Sequence, residues 1–380
     1  MRKETWETFE VHFGDLDDPR STINRRHQLL DMMVIAICAV LCGADDWEGV
    51  AEFGRAKAKW FAGFLPLPSG IPSHDTFWRV FRQLDGEQFE ACFLRWVAEV
   101  AELSDGEVVA IDGKSVRRSH DREAAQDAIV LVSAWATANR LTLGQVQVAE
   151  KSNEITAIPR LLTALDLTDC IVTIDAIGCQ KEIAAQIVAA EADYVLALKQ
   201  NHGRLYEDVT FLFEDLCESE FTAFAYDSTQ EVDKGHGRIE IRQCWTINDP
   251  TLFPHLRGAL DWPALHCLVW IRSQRIQNDH RSVVDRYFIS SLPGQAQQLL
   301  RAVRSHWQIE NGCHWVLDLA FREDESRLRK GHSAHNFAIL RRIALNLLKQ
   351  DKTTKLGIKN KRLKAAWNHD YLFLLLSQLF

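Results

Sequence analysis

The stretch Glu107-Val-Val-Ala-Ile-Asp112 decides the fold, because it is a short apolar run, rich in β-branched residues, that stops at an acid. Runs of this kind form buried strands. A second run, Cys170-Ile-Val-Thr-Ile-Asp175, ends in the same way. Asp is also common in turns that follow strands. A carboxylate at a strand end can keep its oxygens free at the sheet edge, so we predict that Asp112 and Asp175 are site residues.

The pattern around these two runs predicts an α/β fold. Strands are predicted over 108–111, 129–137, 141–148, 171–174 and 194–199, and helices over 157–165 and 180–190, the first of them capped by Thr156. Three meandering strands followed by alternating helices and strands describe a mixed sheet with helices on both faces. In a ribonuclease-H-like sheet the first and fourth strands are neighbours, so this arrangement would bring Asp112 and Asp175 together.

The chain divides into four predicted parts. Residues 1–104 show helical periodicity without a strand signal, which predicts an all-helical N-terminal domain. Residues 105–199 are predicted to be the first part of a ribonuclease-H-like core. Residues 200–293 predict a separate β-rich insertion of short strands. Residues 294–380 are predicted to be helical and to complete the core with a third acid.

The N-terminal part contains a possible DNA-reading helix. A turn-rich connector over 65–72 is followed by Ser73, His74 and Asp75, which offer capping side chains for a helix that presents Arg79 and Arg82. Helical periodicity runs through 77–100. This pattern is compatible with a helix-turn-helix. An ordinary helical bundle explains it equally well.

The charge is distributed unevenly along the chain. The net charge of the 380 residues is −8, yet 301–364 carry fifteen Lys and Arg against six Asp and Glu, which leaves −17 on the rest. A basic region on an acidic body is expected when one face meets a polyanion. The alternative is a solvated helix face.

The sequence predicts a cytoplasmic protein with no membrane partner. The longest apolar stretch, 29–42, is interrupted by Asp31 and is too short to span a bilayer. The nine cysteines are scattered, form no Cys-x-x-Cys pair and are expected to be free buried thiols.

A third acid, Glu310, lies in Ser305-His-Trp-Gln-Ile-Glu310-Asn-Gly-Cys-His-Trp315, which reads as an amphipathic helix. Asp112, Asp175 and Glu310 could share hard divalent cations, which phosphate chemistry requires. The basic region surrounds Glu310.

Several alternatives accompany this helix. Glu323, Asp324 and Glu325 are rival third acids, although a solvated and ion-paired surface is the expected role for them. His306, Glu310 and His314 recur every four residues and could bind a transition metal. Trp307 and Trp315 could stack on an extruded base, but their helical spacing favours core packing.

The sequence resembles a known family. The segments that carry the likeness are Ala110-Ile-Asp112-Gly-Lys-Ser115, Glu150-Lys-Ser-Asn-Glu-Ile-Thr-Ala-Ile-Pro159, Thr173-Ile-Asp175-Ala-Ile-Gly-Cys-Gln-Lys-Glu182 and His306-Trp-Gln-Ile-Glu310-Asn with His314-Trp315. Together they are similar to the H-repeat-associated branch of bacterial insertion-sequence DDE transposases. The likeness covers nearly the whole chain, including Gly43-Ala-Asp-Asp-Trp47, Ile71-Pro-Ser-His-Asp-Thr-Phe77 and Ala366-Trp-Asn-His-Asp-Tyr371.

This resemblance implies a ribonuclease-H-like core whose catalytic triad is Asp112, Asp175 and Glu310. It implies hydrolysis of a DNA phosphodiester and attack of the freed 3′-hydroxyl on target DNA. Two Mg²⁺ or Mn²⁺ ions would be held by the triad, with Asp112 bridging them, Asp175 binding one and Glu310 the other. The partners implied are double-stranded DNA, as element ends and target, and a second copy of the chain in a homodimer.

The resemblance has one departure. The helix signature of the wider superfamily places a tyrosine, an arginine and a lysine where this chain has Val303, His306 and Leu317. The phosphate contacts of that signature therefore cannot be transferred, and the residues predicted to contact DNA instead are Lys114, Arg117, Arg304, Arg327, Arg329 and Lys330. Two other functions are compatible with the sequence, a metal-dependent nuclease without strand transfer and a DNA-binding remnant that has lost catalysis.

Overall fold

A nine-stranded mixed sheet organises the chain, and helices pack against both of its faces. The structure is a computed structural model that describes residues 9–121, 127–149, 152–235, 237–278 and 280–377. Glu150, Lys151 and His236, which stand in segments used for the predictions, lie outside the described residues. The last three positions of the predicted C-terminal helical part, 378–380, also lie outside them.

Helices precede the sheet, and polar caps set where they begin. They include α1 (Leu29–Leu41), α2 (Trp47–Ala56), α3 (Ala58–Phe61), α4 (His74–Gln83) and α5 (Gly86–Val100). Ser73 caps α4 as predicted, since its hydroxyl accepts a hydrogen bond from the amide of Thr76. Asp85 accepts bonds from the amides of Glu87 and Gln88 and so starts α5. The helical periodicity over 77–100 is therefore divided between two helices.

The helix considered for DNA reading, α4, is packed against the rest of the protein on one side. Arg79 is exposed on it, whereas the guanidinium of Arg82 lies 4.3 Å from the centre of the Trp78 ring. A DNA-reading role for α4 stays a prediction.

The first five strands form the ribonuclease-H-like core. They are β1 (Val108–Ser115), β2 (Val130–Ala136), β3 (Leu141–Gln147), β4 (Ile171–Ile174) and β5 (Asp193–Leu198), with α6 (Glu154–Thr163) before β4 and α7 (Lys181–Ala189) before β5. Their order is β3-β2-β1-β4-β5; β1 and β5 are parallel to β4, and β2 is antiparallel to both its neighbours. The predicted fold and the predicted pairing of the first and fourth strands are confirmed.

The helix α6 begins earlier than predicted. The side chain of Asn153, rather than that of Thr156, caps it by accepting a bond from the amide of Ile155 at 3.1 Å. The first helical residue is therefore Glu154.

The region after β5 continues the same sheet. It contains α8 (Gly203–Glu218), β6 (Asp227–Gly235), β7 (Arg238–Ile247), β8 (Cys267–Gln277) and β9 (His280–Ser290). The strand β9 is antiparallel to β5, and β8, β7 and β6 follow it outward. The expectation of a separate block of short strands is wrong, because these strands are 9 to 11 residues long and their long-range pairing extends the core sheet.

The last part of the chain is helical, as predicted. It contains α9 (Ala296–Ile309), a π-helical turn (Glu310–His314), α10 (Trp315–Phe321), α11 (Ser333–Gln350), α12 (Ile358–Trp367) and α13 (His369–Leu376). The helix α11 is buried almost along its whole length. The side-chain amide of Asn336 donates to the carbonyls of Phe81 and Leu84, and the Trp47 indole donates to Ser333. These bonds tie the first helices to the last ones, and the four-part domain division stays a prediction.

All nine cysteines are free, and most are buried, as expected. Within the described ranges, no helix combines the length and the apolar character needed to cross a membrane.

Candidate active site

Parallel pairing of β1 with β4 places Asp112 and Asp175 side by side. The register pairs Ile111 with Ile174, and each acid is the next residue on its chain segment. Asp175 follows the last residue of β4, where its Oδ1 accepts a hydrogen bond from the amide of Ile177 at 3.1 Å. Two short apolar runs that end in Asp therefore bring two carboxylates to one end of the sheet.

Glu310 reaches the same place through an irregular turn. The helix α9 packs on the sheet through Leu299, Leu300 and Val303, and its regular winding stops at Ile309. Glu310–His314 forms a π turn, so the predicted regular amphipathic helix is wrong at this point. Such single π turns interrupt α-helices frequently at functional sites.

Gly312 makes this π turn possible. A Cβ on Gly312 would lie 2.9 Å from Cζ2 of the Trp135 ring, which is closer than side chains tolerate. Only a residue without a side chain lets the turn rest against Trp135.

The three predicted acids line one cavity of about 420 Å³. Asp112, Asp175 and Glu310 share it with His306, Lys199 and Arg286, among others. A neighbouring groove of about 740 Å³ also has Lys199 and Arg286 in its wall. The acid cavity therefore opens beside a wider groove, and two cations stand where they meet.

His314 joins two of the acids. Its Nδ1 lies 3.2 Å from Oε2 of Glu310 and 3.6 Å from Oδ2 of Asp112. Burial, together with the nearby cations Arg342 and Lys114, lowers the pKa of His314 to about 3. The imidazole is therefore neutral and forms a hydrogen bond rather than an ion pair.

The cluster has the ligands that a divalent cation needs. One ligand atom each from Asp112, Glu310 and His314 lies within 4.8 Å of the others. Burial first, and then the charges of Asp175, Glu154 and Glu310, raise the pKa of Asp112 to about 7. Concentrated negative charge on hard oxygen ligands fits Mg²⁺ or Mn²⁺, which would relieve the repulsion.

The alternative transition-metal set is not assembled as predicted. In that alternative, His306 and His314 would flank Glu310 on one helix face. Instead, His306 bonds to Thr173 through Nδ1 at 3.0 Å, and only His314 contacts Glu310. The π turn between the two histidines separates their roles.

The rival acids are engaged elsewhere. Glu323 is fully buried, and its carboxylate binds Arg342 at 2.7 Å and Lys114 at 3.5 Å. Burial alone would raise the pKa of Glu323, but the two cations lower it to about 2. Asp324 binds Lys114 and Arg117, and Glu325 binds Arg322. The ion pairs were expected, but the expectation that Glu323 is solvated is wrong.

The side chains of four of the six predicted DNA contacts bond to other protein groups, and none of the six lines the acid cavity. Lys114 is only 8% exposed and lies 2.7 Å from Asp318 and 2.9 Å from Asp324. Arg117 is exposed and lies 3.1 Å from the same Asp324. Arg304 binds Glu231 and Asp233. Arg329 donates to the backbone carbonyl of Arg118. The remaining two, Arg327 and Lys330, are exposed.

Sequence reasoning missed Lys199 and Arg286, the two cations in the cavity wall. Neither has a carboxylate partner within the described residues, and the Arg286 guanidinium lies 5.3 Å from the centre of the Trp307 ring. Lys199 directly follows β5, the neighbour of β4, so its position could have been recognised from the strand pattern. Arg286 gave no local signal, because it arrives through the long-range pairing of β9 with β5.

The expected core packing of Trp307 and Trp315 is wrong. Their exposed fractions are 51% and 58%. The π turn changes the helical register between them, so spacing in an ideal helix misplaces these side chains.

Fold and site together define a ribonuclease-H-like protein with a carboxylate cluster at the ends of two parallel strands. The family described as Transposase DDE domain matches residues 103–347, and the family described as DDE_Tnp_1-associated matches residues 11–97. The chain belongs to the DDE transposases, in their H-repeat-associated branch.

Relatives match over almost their whole length. "Putative transposase YncI" of Escherichia coli O157:H7 is 40% identical over 360 residues, which are 94% of this chain and 91% of that protein. "H repeat-associated putative transposase YhhI" of Escherichia coli K12 is 36% identical over 95% of both chains. Among solved structures, a chain of the piggyBac transposase synaptic complex with hairpin DNA is similar, with a TM-score of 0.44 and 10% sequence identity. The match covers 98% of this chain and 76% of that one, and the likeness is weak.

Proposed function

We propose that this protein cuts DNA at the ends of an insertion sequence and joins the freed 3′-hydroxyl to target DNA. The observation that carries the proposal is the meeting of Asp112, Asp175 and Glu310 in one cavity. Membership of a transposase family supports DNA as the substrate of that cavity.

The three acids are proposed to hold the divalent cations, Mg²⁺ or Mn²⁺. When bound, such cations activate the attacking oxygen and stabilise the leaving oxygen in an in-line displacement. The buried His314 holds Glu310 in position by a hydrogen bond at Nδ1 and lies 3.6 Å from Asp112. No protein side chain is required as a covalent nucleophile.

We further propose that Lys199 and Arg286 contact the DNA backbone beside the scissile phosphate. Both line the acid cavity and the adjoining groove, and neither is neutralised by a carboxylate in the described ranges. Exposed basic residues farther away, including Arg327 and Lys330, would add contacts that are weakened by salt. Pairing of two element ends makes a homodimer the expected active form.

The proposal is tested by incubating the full chain with labelled duplexes that carry the element ends and a target plasmid. We expect cleaved and joined products with Mg²⁺ or Mn²⁺, and neither product after addition of EDTA. Cleavage without joining would favour the metal-dependent nuclease. Salt-sensitive binding without any chemistry would favour the DNA-binding remnant.

A further inference from the structure

The carboxylate of Glu154 lies against the strand that carries Asp112. Glu154 is the first residue of α6 and is half-buried. A Cβ built on Gly113 would lie 2.0 Å from its Oε1 and 2.8 Å from its Oε2. The carboxylate therefore occupies the space that a side chain at position 113 would fill, directly after Asp112.

Glu154 and Glu310 lie on opposite faces of the sheet. On β4, Thr173 bonds to His306 of α9, so Thr173 faces α9. Ile174 of β4 and Ile158 of α6 both lie beside Gly178, so Ile174 faces α6. Because Ile111 pairs with Ile174 and side chains alternate along a strand, Asp112 faces α9 and Gly113 faces α6. A glycine after Asp112 lets a carboxylate from the α6 face reach the strand end.

The Glu154 carboxylate has no hydrogen bond or ion pair within the described residues, unlike two fully or largely buried acids elsewhere in the protein. Glu107 accepts bonds from the amide of Ala138 and from Asn139, and Glu323 binds Arg342. Glu154 instead lies close enough to Asp112 and Asp175 for its charge to repel theirs. A half-buried carboxylate placed among like charges lacks its counter-ion.

Asp112, next to Gly113, already belongs to a group of residues that could hold a metal ion. Nε2 of His314 is buried and has no hydrogen-bond partner within the described residues, while Nδ1 of the same ring faces Asp112 and Glu310. Asp112, Glu310 and His314 already bring ligand atoms together.

We propose that Glu154 is a fourth carboxylate of the metal site, acting with Asp112, Asp175 and Glu310, and that position 113 is glycine to admit it. This inference rests on the proposed function only in taking the acid cavity as a divalent-cation site. It assigns metal binding to the helix between the third and fourth strands, in addition to the three segments that carry the triad.

The test is the affinity of the full chain for Mn²⁺, measured by isothermal titration calorimetry without DNA. We expect Glu154→Gln to weaken Mn²⁺ binding by about tenfold or more. Glu182→Gln is the matched control, because Glu182 is also an acid in the first turn of a helix, α7, but is exposed and is not among the charges that act on Asp112. Equal affinities of the wild type, Glu154→Gln and Glu182→Gln would overturn the inference.

A second pair of variants keeps the test informative if Glu154→Gln folds poorly. Gly113→Ala is expected to displace the Glu154 carboxylate and weaken Mn²⁺ binding, and to have no further effect in a Glu154→Ala background. Equal losses in both backgrounds would show that position 113 acts without Glu154, which contradicts the inference.

The outcome separates this inference from the proposed function. Weaker Mn²⁺ binding by Glu154→Gln would support the fourth ligand even if the wild type joined no DNA. Unchanged Mn²⁺ binding alongside efficient joining by the wild type would remove Glu154 from the site and leave the transposase proposal intact.

Discussion

The surroundings of Asp112 destabilise the folded protein when the Asp112 carboxylate is charged. Its pKa of about 7 lies well above the ordinary value of 3.8, first because of burial and then because of Asp175, Glu154 and Glu310. As pH rises from about 4 to 7, the unfolded chain releases its proton before the folded one does, so folded stability falls. Above pH 7 the penalty is complete.

We therefore expect Asp112→Asn to stabilise the metal-free protein at pH 8 by on the order of 1–4 kcal/mol. The gain should vanish near pH 3.5, where the carboxyl is protonated in both states. Thermal unfolding in EDTA at the two pH values measures it, with Glu182→Gln as the control. A lower melting temperature of Asp112→Asn at pH 8, or an equal gain at both pH values, would contradict this account.

Glu323 and Glu325 lie in one short turn yet differ in their surroundings, which makes them a matched pair. Glu323→Gln would leave Arg342 buried without its counter-charge, and the expected loss is about 3–5 kcal/mol of unfolding free energy. Glu325→Gln removes only an exposed pair with Arg322, so its loss should be much smaller than that of Glu323→Gln. Urea unfolding measures both, and equal losses would show that the buried pair has no special role.

The Glu323 pKa of about 2 adds a pH dependence. Because the folded pKa is below the ordinary value of 4.5, the stabilisation is present above about pH 4.5 and is lost as pH falls through 2.

At the scale of elements, the π turn sets the position of Glu310. We expect Gly312→Ala to push the turn away from Trp135 and to lower DNA joining by at least about tenfold, because misplacement of a catalytic group by about 1 Å is costly. Gly203→Ala is the control, since a Cβ there meets nothing within 4 Å. Gel-based joining assays and circular dichroism compare the two variants. Wild-type joining by Gly312→Ala would show that the turn tolerates a side chain.

The comparison of elements also shows what the sequence could predict. Val108 to Asp112 and Ile171 to Asp175 were predictable, because apolar β-branched runs and their ends are local signals. The π turn at Glu310 was not predictable, because it depends on the contact of Gly312 with Trp135, far away in the sequence. The pairing of β9 with β5 also depends on contacts between distant parts of the sequence. The continuation of the sheet and the position of Arg286 on β9 were therefore not predictable.

Glu154 illustrates the same limit at the candidate site. Its segment was recognised, but the residue was placed before the helix rather than in it. Only the packing of α6 on the strand end brings its carboxylate to Gly113.

At the scale of the whole molecule, the net charge is negative, so binding of DNA requires cations gathered along the surface that the DNA contacts. The net charge is −8, and Lys199 and Arg286 are cations of the cavity wall without carboxylate partners in the described ranges. We expect Lys199→Ala and Arg286→Ala each to weaken binding of element-end DNA and to reduce the slope of log affinity against log salt concentration by about 1. Fluorescence anisotropy at several salt concentrations measures the slope.

Arg257→Ala is the control for this prediction, because Arg257 is bound to Asp208 and Glu207. An unchanged slope for both Lys199→Ala and Arg286→Ala would place the DNA path elsewhere on the molecule.

The most direct test of the central claim is DNA joining by three isosteric variants, Asp112→Asn, Asp175→Asn and Glu310→Gln, compared with the wild type and Glu182→Gln in Mg²⁺ and in Mn²⁺. The account predicts that each of the three loses at least about a hundredfold in joined product, while all retain folded circular dichroism spectra and Glu182→Gln joins normally. Joining at the wild-type rate by any one of the three would show that its carboxylate is not part of the site.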